Sequence, residues 1–564
     1  MNQQEYDVII VGAGSSGGTL AARLSEDGAR SVLLLEAGPA WRSVDELPAG
    51  VKDPGDVGGV LPGQPTNWVL ETEDPDALPH ATGRGLGGSG SINGAYFVRG
   101  IPENFHDWER QGNDEWSYEK VLPFYKRLES EQDYPDEDVH GTTGPIAVRR
   151  EPGDRAPEFT QAFTQACLDL AHPADPDKNG GSSNGVGLIP LNIANGLRVS
   201  SAVGYLLPNI GRPNLHIVGD ALAHRVVIEG NRCVGVEADV GGRLTTFRGG
   251  EVVLSAGALR SPQLLMLSGI GPAEHLRAKG IEVLVDLPGV GENLTDHAEL
   301  TFPYSLDAKW EAMPGRGAMT SALHWTAEGS DRASDLEILP FVASFNQLMH
   351  MSRIVRNPRL VMTMFKEMAK MARRTSLKAV AEQGKAARLP FILINLQQKD
   401  HRGTLKLASS SPKDLPALSS NVLGDENDRR RLREGIKVAF EIFQTAPMRA
   451  VNAKAVGLDA EDVASRESTD AWMLSHVFAA AHPSCTAKMG PESDPMAVVD
   501  QSGRVYGVDN LRVCDTSIFP EIPSRGPNAT AIMVAERISE LFGSSAPSRA
   551  DRPAVGAKPG TVGT

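Results

Sequence analysis

A glycine-rich turn near the N-terminus and a carboxylate beyond it have the types and spacing of a dinucleotide-binding site. The turn has the pattern G-x-G-x-x-G and contains Gly12, Gly14, Ser15, Ser16 and Gly17. Missing side chains let the backbone and a helix N-terminus approach a pyrophosphate. Glu36 stands 19 residues beyond Gly17, where its carboxylate can bind an adenosine ribose 2′-hydroxyl. The pair favours FAD or NAD over NADP, because a 2′-phosphate suits an arginine better.

Among 13 histidines, His482 has surroundings that suit acid–base chemistry. Pro483 follows it and disfavours a helical conformation, and three alanines at 479–481 precede it and leave space for a ligand. A neutral imidazole with a pKa of about 6 to 7 can take a proton from a substrate. The alternative is a structural histidine in a tight turn.

The elements around these residues predict an α/β fold that begins with a βαβ unit. Residues 7–11 and 31–35 are short apolar strands, and 16–27 is compatible with a helix between them. Three further β runs follow at 224–229, 233–237 and 251–255. From about 300 to 475 the pattern changes to mixed strands and long helices, which predicts a second domain.

Size and charge restrict the classes of function. The chain has 564 residues with a net charge of −15, which opposes nucleic-acid binding. It contains no uninterrupted run of about 18 apolar residues, the length needed to span a bilayer. Four scattered cysteines without a C-x-x-C pair predict neither a disulfide framework nor a zinc site, and no metal is expected. The short polar start leaves no room for a signal peptide, so a cytoplasmic protein is expected.

Two longer glycine-rich segments resemble the signatures of one flavoenzyme family. Residues 83–100 resemble the first signature of the glucose-methanol-choline (GMC) oxidoreductases, which oxidise alcohols with FAD, and residues 257–271 resemble the second. Shorter similarities lie at 287–294, 401–404, 481–490 and 515–530, so the resemblance covers residues 7 to about 543. It implies a Rossmann-like, doubly wound FAD-binding domain interleaved with an α+β substrate domain on a mixed or antiparallel sheet.

Domain limits follow from the resemblance and from the change of pattern along the chain. The FAD-binding domain is predicted at 1–150, 196–298 and 498–543. The substrate-binding domain is predicted at 151–195 and 299–497. Residues 544–564 are rich in Ser, Pro, Ala and Gly and are predicted to be a disordered tail.

The resemblance also implies which residues bind FAD. The glycine turn and Glu36 would contact its ADP half, Ala223 the adenine, and Asp515 the ribityl-pyrophosphate region. Residues implied near the flavin ring are Gly88, Asn93, Gly94, Ala95 and Tyr96. Further implied contacts are Ala37, Trp68, Arg84, Ser89, Ala529 and Thr530, although Trp68 could equally be a core aromatic. Ile92 stands where some members attach flavin through a histidine, so non-covalent FAD is expected.

The same resemblance implies the chemistry of the site. His482 would take the hydroxyl proton while hydride moves from the alcohol carbon to flavin N5, and Asn528 would hold the substrate oxygen. Asn528 could instead be only the N-cap of the last helix. N–H groups at that helix N-terminus would stabilise negative charge near flavin N1 and O2. The alternatives are a hydroxynitrile-lyase-like or other non-redox activity on a structural flavin, light-driven decarboxylation, and a flavin protein without turnover.

The sequence leaves open which alcohol is the substrate and which molecule accepts the electrons. Aromatic residues make up 5% of the chain, which gives little support to a quaternary-ammonium site, so an apolar primary or secondary alcohol is favoured. Oxygen, a quinone or a redox protein would accept the electrons.

Residues 352–388 carry ten Lys or Arg against two Glu, a charge of +8, and predict an amphipathic helix from about Pro358 onward. That helix is a packed core element, a lid over the substrate entrance, or a weak contact with an anionic membrane.

Overall fold

Two seven-stranded sheets organise the chain, and each has its own hydrophobic core. The computed structural model describes residues 5–70, 80–151, 158–306, 315–351, 361–362, 384–420 and 422–542. The predicted tail at 544–564 and most of the basic segment 352–388 lie outside these described residues. The α/β class with a mixed or antiparallel sheet is confirmed. The domain limits stay a prediction.

The first sheet is parallel around its centre and continues as an antiparallel meander. Its strands, in spatial order, are Leu215–Val218, Val32–Leu35, Glu5–Val11, Arg243–Leu254, Arg232–Val240 and Ala221–Glu229, and Leu511–Val513 pairs with Arg243–Leu254. Glu5–Val11 runs parallel to both of its neighbours. The side chains of Ile9, Ile10, Leu33 and Leu34 are completely buried, as expected for parallel strands covered on both faces.

The helix after the first strand completes the predicted βαβ unit. It spans Ser15–Leu24 and ends earlier than the sequence indicates. Ser25 explains the early end, because its hydroxyl donates to the carbonyl of Ala22 at 3.0 Å and so competes with helical hydrogen bonding.

The second sheet is antiparallel throughout. Its strands, in spatial order, are Lys454–Ala455, Ala298–Ser305, Phe391–Leu396, Leu336–Phe341, Ser321–Trp325 and Gly185–Leu188, and Val477–Ala479 also pairs with Ala298–Ser305. Alternate residues such as Leu300, Ile338 and Ile394 face one core, which the helices Glu158–Asp169 and Glu426–Phe443 complete. The residues between them, among them Glu299 and Glu337, therefore face the opposite side.

The remaining elements are helices and two-stranded ribbons outside the two large sheets. Further α-helices are Ala49–Lys52, Pro102–Arg110, Tyr118–Leu128, Gly257–Leu267, Ala273–Ala278, Phe345–Leu348, Ala446–Ala450, Arg466–His476 and Asn528–Leu541. Two-stranded ribbons pair Asn67–Leu70 with His80–Gly83, Glu129–Glu131 with Ile146–Val148, Ile193–Ala194 with Leu197–Arg198, Ile270–Gly271 with Val285–Asp286, and Thr404–Lys406 with Ala417–Ser419. In the described part of the chain, no helix is long and apolar enough to cross a membrane.

The first and last helices pack against each other and bring two helix N-termini to one place. The Ser16 hydroxyl donates to the carbonyl of Ala531 at 2.9 Å. Further along, the buried carboxylate of Glu536 accepts from the Arg23 guanidinium at 2.8 Å and from the Tyr205 hydroxyl at 2.5 Å. A buried carboxylate with these partners holds the helices in a fixed register.

Candidate active site

Two glycine loops touch each other at the end of the first strand. Gly12 has φ +100°, and a side chain there would place Cβ 2.4 Å from the carbonyl oxygen of Ser255. A Cβ on Gly88 would lie 2.8 Å from Cα of Gly14. Gly87 donates its N–H to the carbonyl of Ala13 at 2.7 Å. The missing side chains therefore let the two loops pack closely against each other and against residues 255–256, which fixes the backbone where a pyrophosphate is expected to bind.

Glu36 lies where a ribose-binding carboxylate is expected. It accepts hydrogen bonds from the backbone N–H groups of Ala13 and Gly38, each at 2.8 Å, and of Gly85 at 2.9 Å. Burial raises the pKa of this carboxyl, while the three hydrogen bonds favour its ionised form. Because two carboxylate oxygens offer about four acceptor positions, the ring of donors leaves room for one hydroxyl.

Other residues predicted to bind the nucleotide surround Glu36. Arg84 donates to the carbonyl of Ala37 at 2.9 Å and lies over the Trp68 ring, 4.7 Å from its centroid. Arg260 lies 5.0 Å from the same centroid. Trp68 is thus partly buried, packs against the first hydrophobic core and has two arginines over its ring, so both interpretations of this residue stay open. The strand that carries Ala223 starts beside Glu36, since Ala221 donates its N–H to the Glu36 carbonyl at 2.8 Å.

Asn528 has an amide whose orientation is fixed by a hydrogen bond. The Ser15 hydroxyl donates to Asn528 Oδ1 at 2.7 Å, so Nδ2 points elsewhere. That Nδ2 is buried and has no partner among the described residues, which fits an acceptor on a bound cofactor or substrate. The helix begins at Asn528 itself, with Pro527 as N-cap and no side-chain cap. The alternative that Asn528 only caps the helix is therefore wrong.

Several other predicted FAD contacts have their polar side-chain atoms engaged by protein groups. Asp515 accepts from the Gly257 N–H at 2.9 Å, the Ser261 hydroxyl at 2.5 Å and the Ser517 N–H at 2.8 Å. Ser89 accepts from the Gly83 N–H at 3.0 Å, Asn93 from the Ala95 N–H at 2.9 Å, and Thr530 is bonded to the Tyr125 hydroxyl at 2.7 Å. Ala529 is buried and Gly94 is partly exposed. Their contacts with FAD stay predictions.

His482 lies beside Tyr96 across a glycine. A Cβ on Gly526 would lie 3.3 Å from the Tyr96 ring and 3.8 Å from Cε1 of His482, so both rings line one space. Ala481 has φ +61°, a left-handed conformation that turns His482 out of the preceding strand. Burial lowers the pKa of His482 to about 4, although Glu337 opposes the shift. The imidazole is therefore neutral near pH 7.

His297 was not singled out by the sequence, and it fixes the tautomer of His482. Its Nε2 lies 3.0 Å from the carbonyl oxygen of Pro523, which can only accept, so Nε2 carries the proton. Burial holds the pKa of His297 well below its usual range, so its Nδ1 is an acceptor. That Nδ1 lies 3.0 Å from His482 Nδ1, which must therefore be the donor. The lone pair of His482 is left on Nε2, where a base needs it.

A row of polar side chains crosses the face of the second sheet that looks toward Tyr96. Glu337 accepts from the Tyr96 hydroxyl at 2.9 Å, His324 Nε2 at 2.8 Å, Asn395 Nδ2 at 2.6 Å and Gln397 Nε2 at 2.7 Å. Burial opposes ionisation of Glu337, but the hydrogen bonds outweigh it and lower its pKa to about 2. Glu337 is therefore negatively charged near pH 7.

Glu299 lies in the same row of polar side chains as Glu337, but no hydrogen-bond donor among the described residues reaches its carboxyl. It is paired across the sheet with Asn395 and Phe478. Its carboxyl makes no hydrogen bond to the residues that the structure describes, and burial together with the charges of Asp296 and Glu337 raises its pKa to about 8. The sequence could not indicate this pair of carboxyls, because strand pairing brings them together.

Comparisons with known proteins show the family of the chain. The family model of the GMC oxidoreductases matches residues 6–299 and 399–535. The chain is 36% identical over 545 residues to a GMC-type oxidoreductase of Rhodococcus erythropolis, covering 96% of this chain and 99% of that one. It is 36% identical over 581 residues to an oxygen-dependent choline dehydrogenase of Pseudomonas savastanoi pv. phaseolicola, covering 99% and 97%.

A solved structure extends the similarity to three dimensions. Pyridoxine 4-oxidase from Mesorbium loti superposes with a TM-score of 0.80 at 26% identity, covering 95% of this chain and 99% of that one. The resemblance seen in the two signature segments is thereby confirmed over nearly the whole chain. The protein belongs to the GMC oxidoreductase family, and it is an FAD-dependent enzyme that oxidises alcohols.

Proposed function

We propose that the enzyme converts the CH–OH group of a small alcohol to an aldehyde or ketone, with His482 as the base. FAD, when bound, accepts the hydride at flavin N5. His482 Nε2 takes the hydroxyl proton, and Asn528 Nδ2 donates to an oxygen in the site. The observation that carries the proposal is the hydrogen-bond chain from Pro523 through His297, which leaves a neutral His482 with its lone pair on Nε2.

Anaerobic titration of the yellow protein with alcohols tests the redox step. We expect bleaching of the flavin absorbance, followed by recovery when oxygen, a quinone or a redox dye is added. The acceptor that restores the colour fastest separates an oxidase from a dehydrogenase. Turnover of a cyanohydrin without bleaching by any alcohol would instead support the hydroxynitrile-lyase-like alternative.

The polar row favours a second substrate class beside the apolar alcohol. Glu337 is ionised, and Glu299 lies two strands away on the same face without a donor. A cation beside the reacting alcohol would keep Glu299 ionised and satisfy it, since an opposite charge favours the charged form. The choline dehydrogenases among the relatives have names that fit such a substrate. We therefore propose a cationic amino alcohol as the alternative to an apolar one.

Replacing Glu299 by glutamine distinguishes the two substrate classes. If the substrate is cationic, KM for choline should rise about tenfold or more, because the lost ion pair is shielded from water. KM for 3,3-dimethylbutan-1-ol, a neutral molecule of the same shape, should change by less than threefold. Steady-state kinetics with both alcohols provide the measurement. An equal change for both, or better turnover of the neutral alcohol by the unmodified enzyme, would favour the apolar class.

FAD should be released by acid. Ile92 stands at the position where some family members have the histidine that binds flavin covalently. It is buried against Gly59, because a Cβ added to Gly59 would lie 2.7 Å from Cγ2 of Ile92. Without that nucleophile, precipitation with trichloroacetic acid should leave the yellow colour in the supernatant. A yellow pellet after washing would show a covalent bond at another residue.

A further inference from the structure

The His482 loop is held by an irregular pairing with residues 295–298. Ala479 pairs with Ala298, and Ser484 forms a bridge with Thr295. Ala479 and Ser484 are five positions apart in the chain, whereas their partners Ala298 and Thr295 are three positions apart. Two extra residues on the His482 side therefore bulge out of the ladder. Bulges of this kind re-aim a side chain next to an active site, at the cost of ladder hydrogen bonds.

Asp296 replaces the backbone acceptor that the bulge removes. Its Oδ1 accepts from the backbone N–H of His482 at 2.9 Å, whereas Ala480 still donates to the carbonyl of His297 at 3.1 Å. Asp296 is 2% exposed, so water does not substitute for this bond. The adjacent residues Asp296 and His297 therefore hold His482 at two points, the backbone N–H and the ring Nδ1.

We propose that Asp296 is the positioning residue for the base His482, and that its negative charge determines how firmly the loop is held. The inference rests on the proposed function of His482. A carboxylate suits the task because a charge-assisted hydrogen bond is roughly twice as strong as a neutral one. The left-handed Ala481 needs such a restraint, because an alanine in that conformation returns to an extended one when it is released.

Groups on several elements face Asp296 and determine when it carries its charge. His80 Nδ1, from the strand His80–Gly83, lies 3.5 Å from Asp296 Oδ2, and neither His80 nitrogen has a partner among the described residues. Lys399 is buried nearby and attracts the carboxylate. Burial nonetheless raises the pKa of Asp296 to about 7, and burial lowers that of His80 to about 4. Three further titratable residues lie near Asp296: Glu299, His482 and the adjacent His297.

Two variants of Asp296 test the proposal on the FAD-loaded enzyme. Asp296→Ala should lower kcat by about 30- to 100-fold, because a displacement of about 1 Å costs this much, while KM changes by less than threefold. Asp296→Asn keeps an oxygen acceptor in place, so kcat should fall only about fivefold. Asp286→Ala is the matched control, since Asp286 is exposed and accepts one backbone N–H from Ala273 at 3.0 Å. It should leave kcat unchanged.

The pH profile separates positioning by charge from a purely structural role. In the unmodified enzyme kcat should fall as pH decreases through about 7, because Asp296 becomes protonated. The Asp296→Asn variant should lack this decrease and stay near the low-pH rate. An unchanged profile in Asp296→Asn, or an Asp296→Ala enzyme with normal kcat, overturns the proposal. If His482→Ala also keeps normal activity, the proposed function itself is wrong.

Discussion

Replacing His482 by alanine should lower the rate constant of flavin reduction by a factor of about 100 or more, within the usual range for a general base. The protein should keep its FAD, because none of the contacts that place Glu36 or the two glycine loops involves His482. Anaerobic stopped-flow mixing with a saturating alcohol measures the rate constant, and the absorbance near 450 nm measures bound FAD.

The structure provides a matched control for that experiment. His476 is also a half-buried histidine close in sequence, but its Nδ1 lies 2.8 Å from the carbonyl of Trp472 and its ring stacks on the Trp472 side chain. His476→Ala should reduce flavin at the rate of the unmodified enzyme. A His482→Ala enzyme that reduces flavin within threefold of normal would show that another group takes the proton.

The βαβ part of the candidate nucleotide site could be predicted from the sequence because most of its contacts are local, although Gly85 reaches Glu36 from 49 residues away. The glycine turn, the helix after it and Glu36 all lie in residues 5–36, and one βαβ unit places them. Backbone donors hold the Glu36 carboxylate, so its position depends little on distant side chains. Sequence spacing is sufficient for such a site.

The substrate half depends on pairings that sequence spacing does not reveal. The tautomer of His482 is set by His297, 185 residues away, which in turn is set by a carbonyl 226 residues from it. The sequence predicts that Asn528 begins the last helix, and it does, but its amide is oriented by Ser15, 513 residues distant. The row that contains Glu299 and Glu337 exists only because antiparallel strands align. Propensity and motif patterns carry no information on such contacts.

Replacing His297 by leucine should lower kcat by about 10- to 100-fold, the usual loss when a group that orients a functional histidine is removed. Without the Nδ1 acceptor, the His482 proton is free to move to Nε2, and that tautomer has no lone pair toward the substrate. Leucine fills a similar volume, so the loss is chemical rather than a cavity effect. FAD content, measured by flavin absorbance, and KM, measured by steady-state kinetics on the FAD-loaded enzyme, should change little.

A conservative variant and a remote histidine make this result specific. His297→Asn places an amide oxygen near the position of Nδ1, so it should accept from His482 and recover most of kcat, although it loses the bond to Pro523. His172→Leu removes a partly buried histidine whose ring meets Trp325 edge to face, with ring centroids 5.7 Å apart, and should leave kcat unchanged. Equal losses in His297→Leu and His297→Asn would mean that His297 supports the fold and does not select the tautomer. If kcat recovers in His297→Asn but not in His297→Leu, a hydrogen-bond acceptor is needed at position 297. Such an acceptor keeps the proton of His482 on Nδ1 and leaves Nε2 free to act as the base.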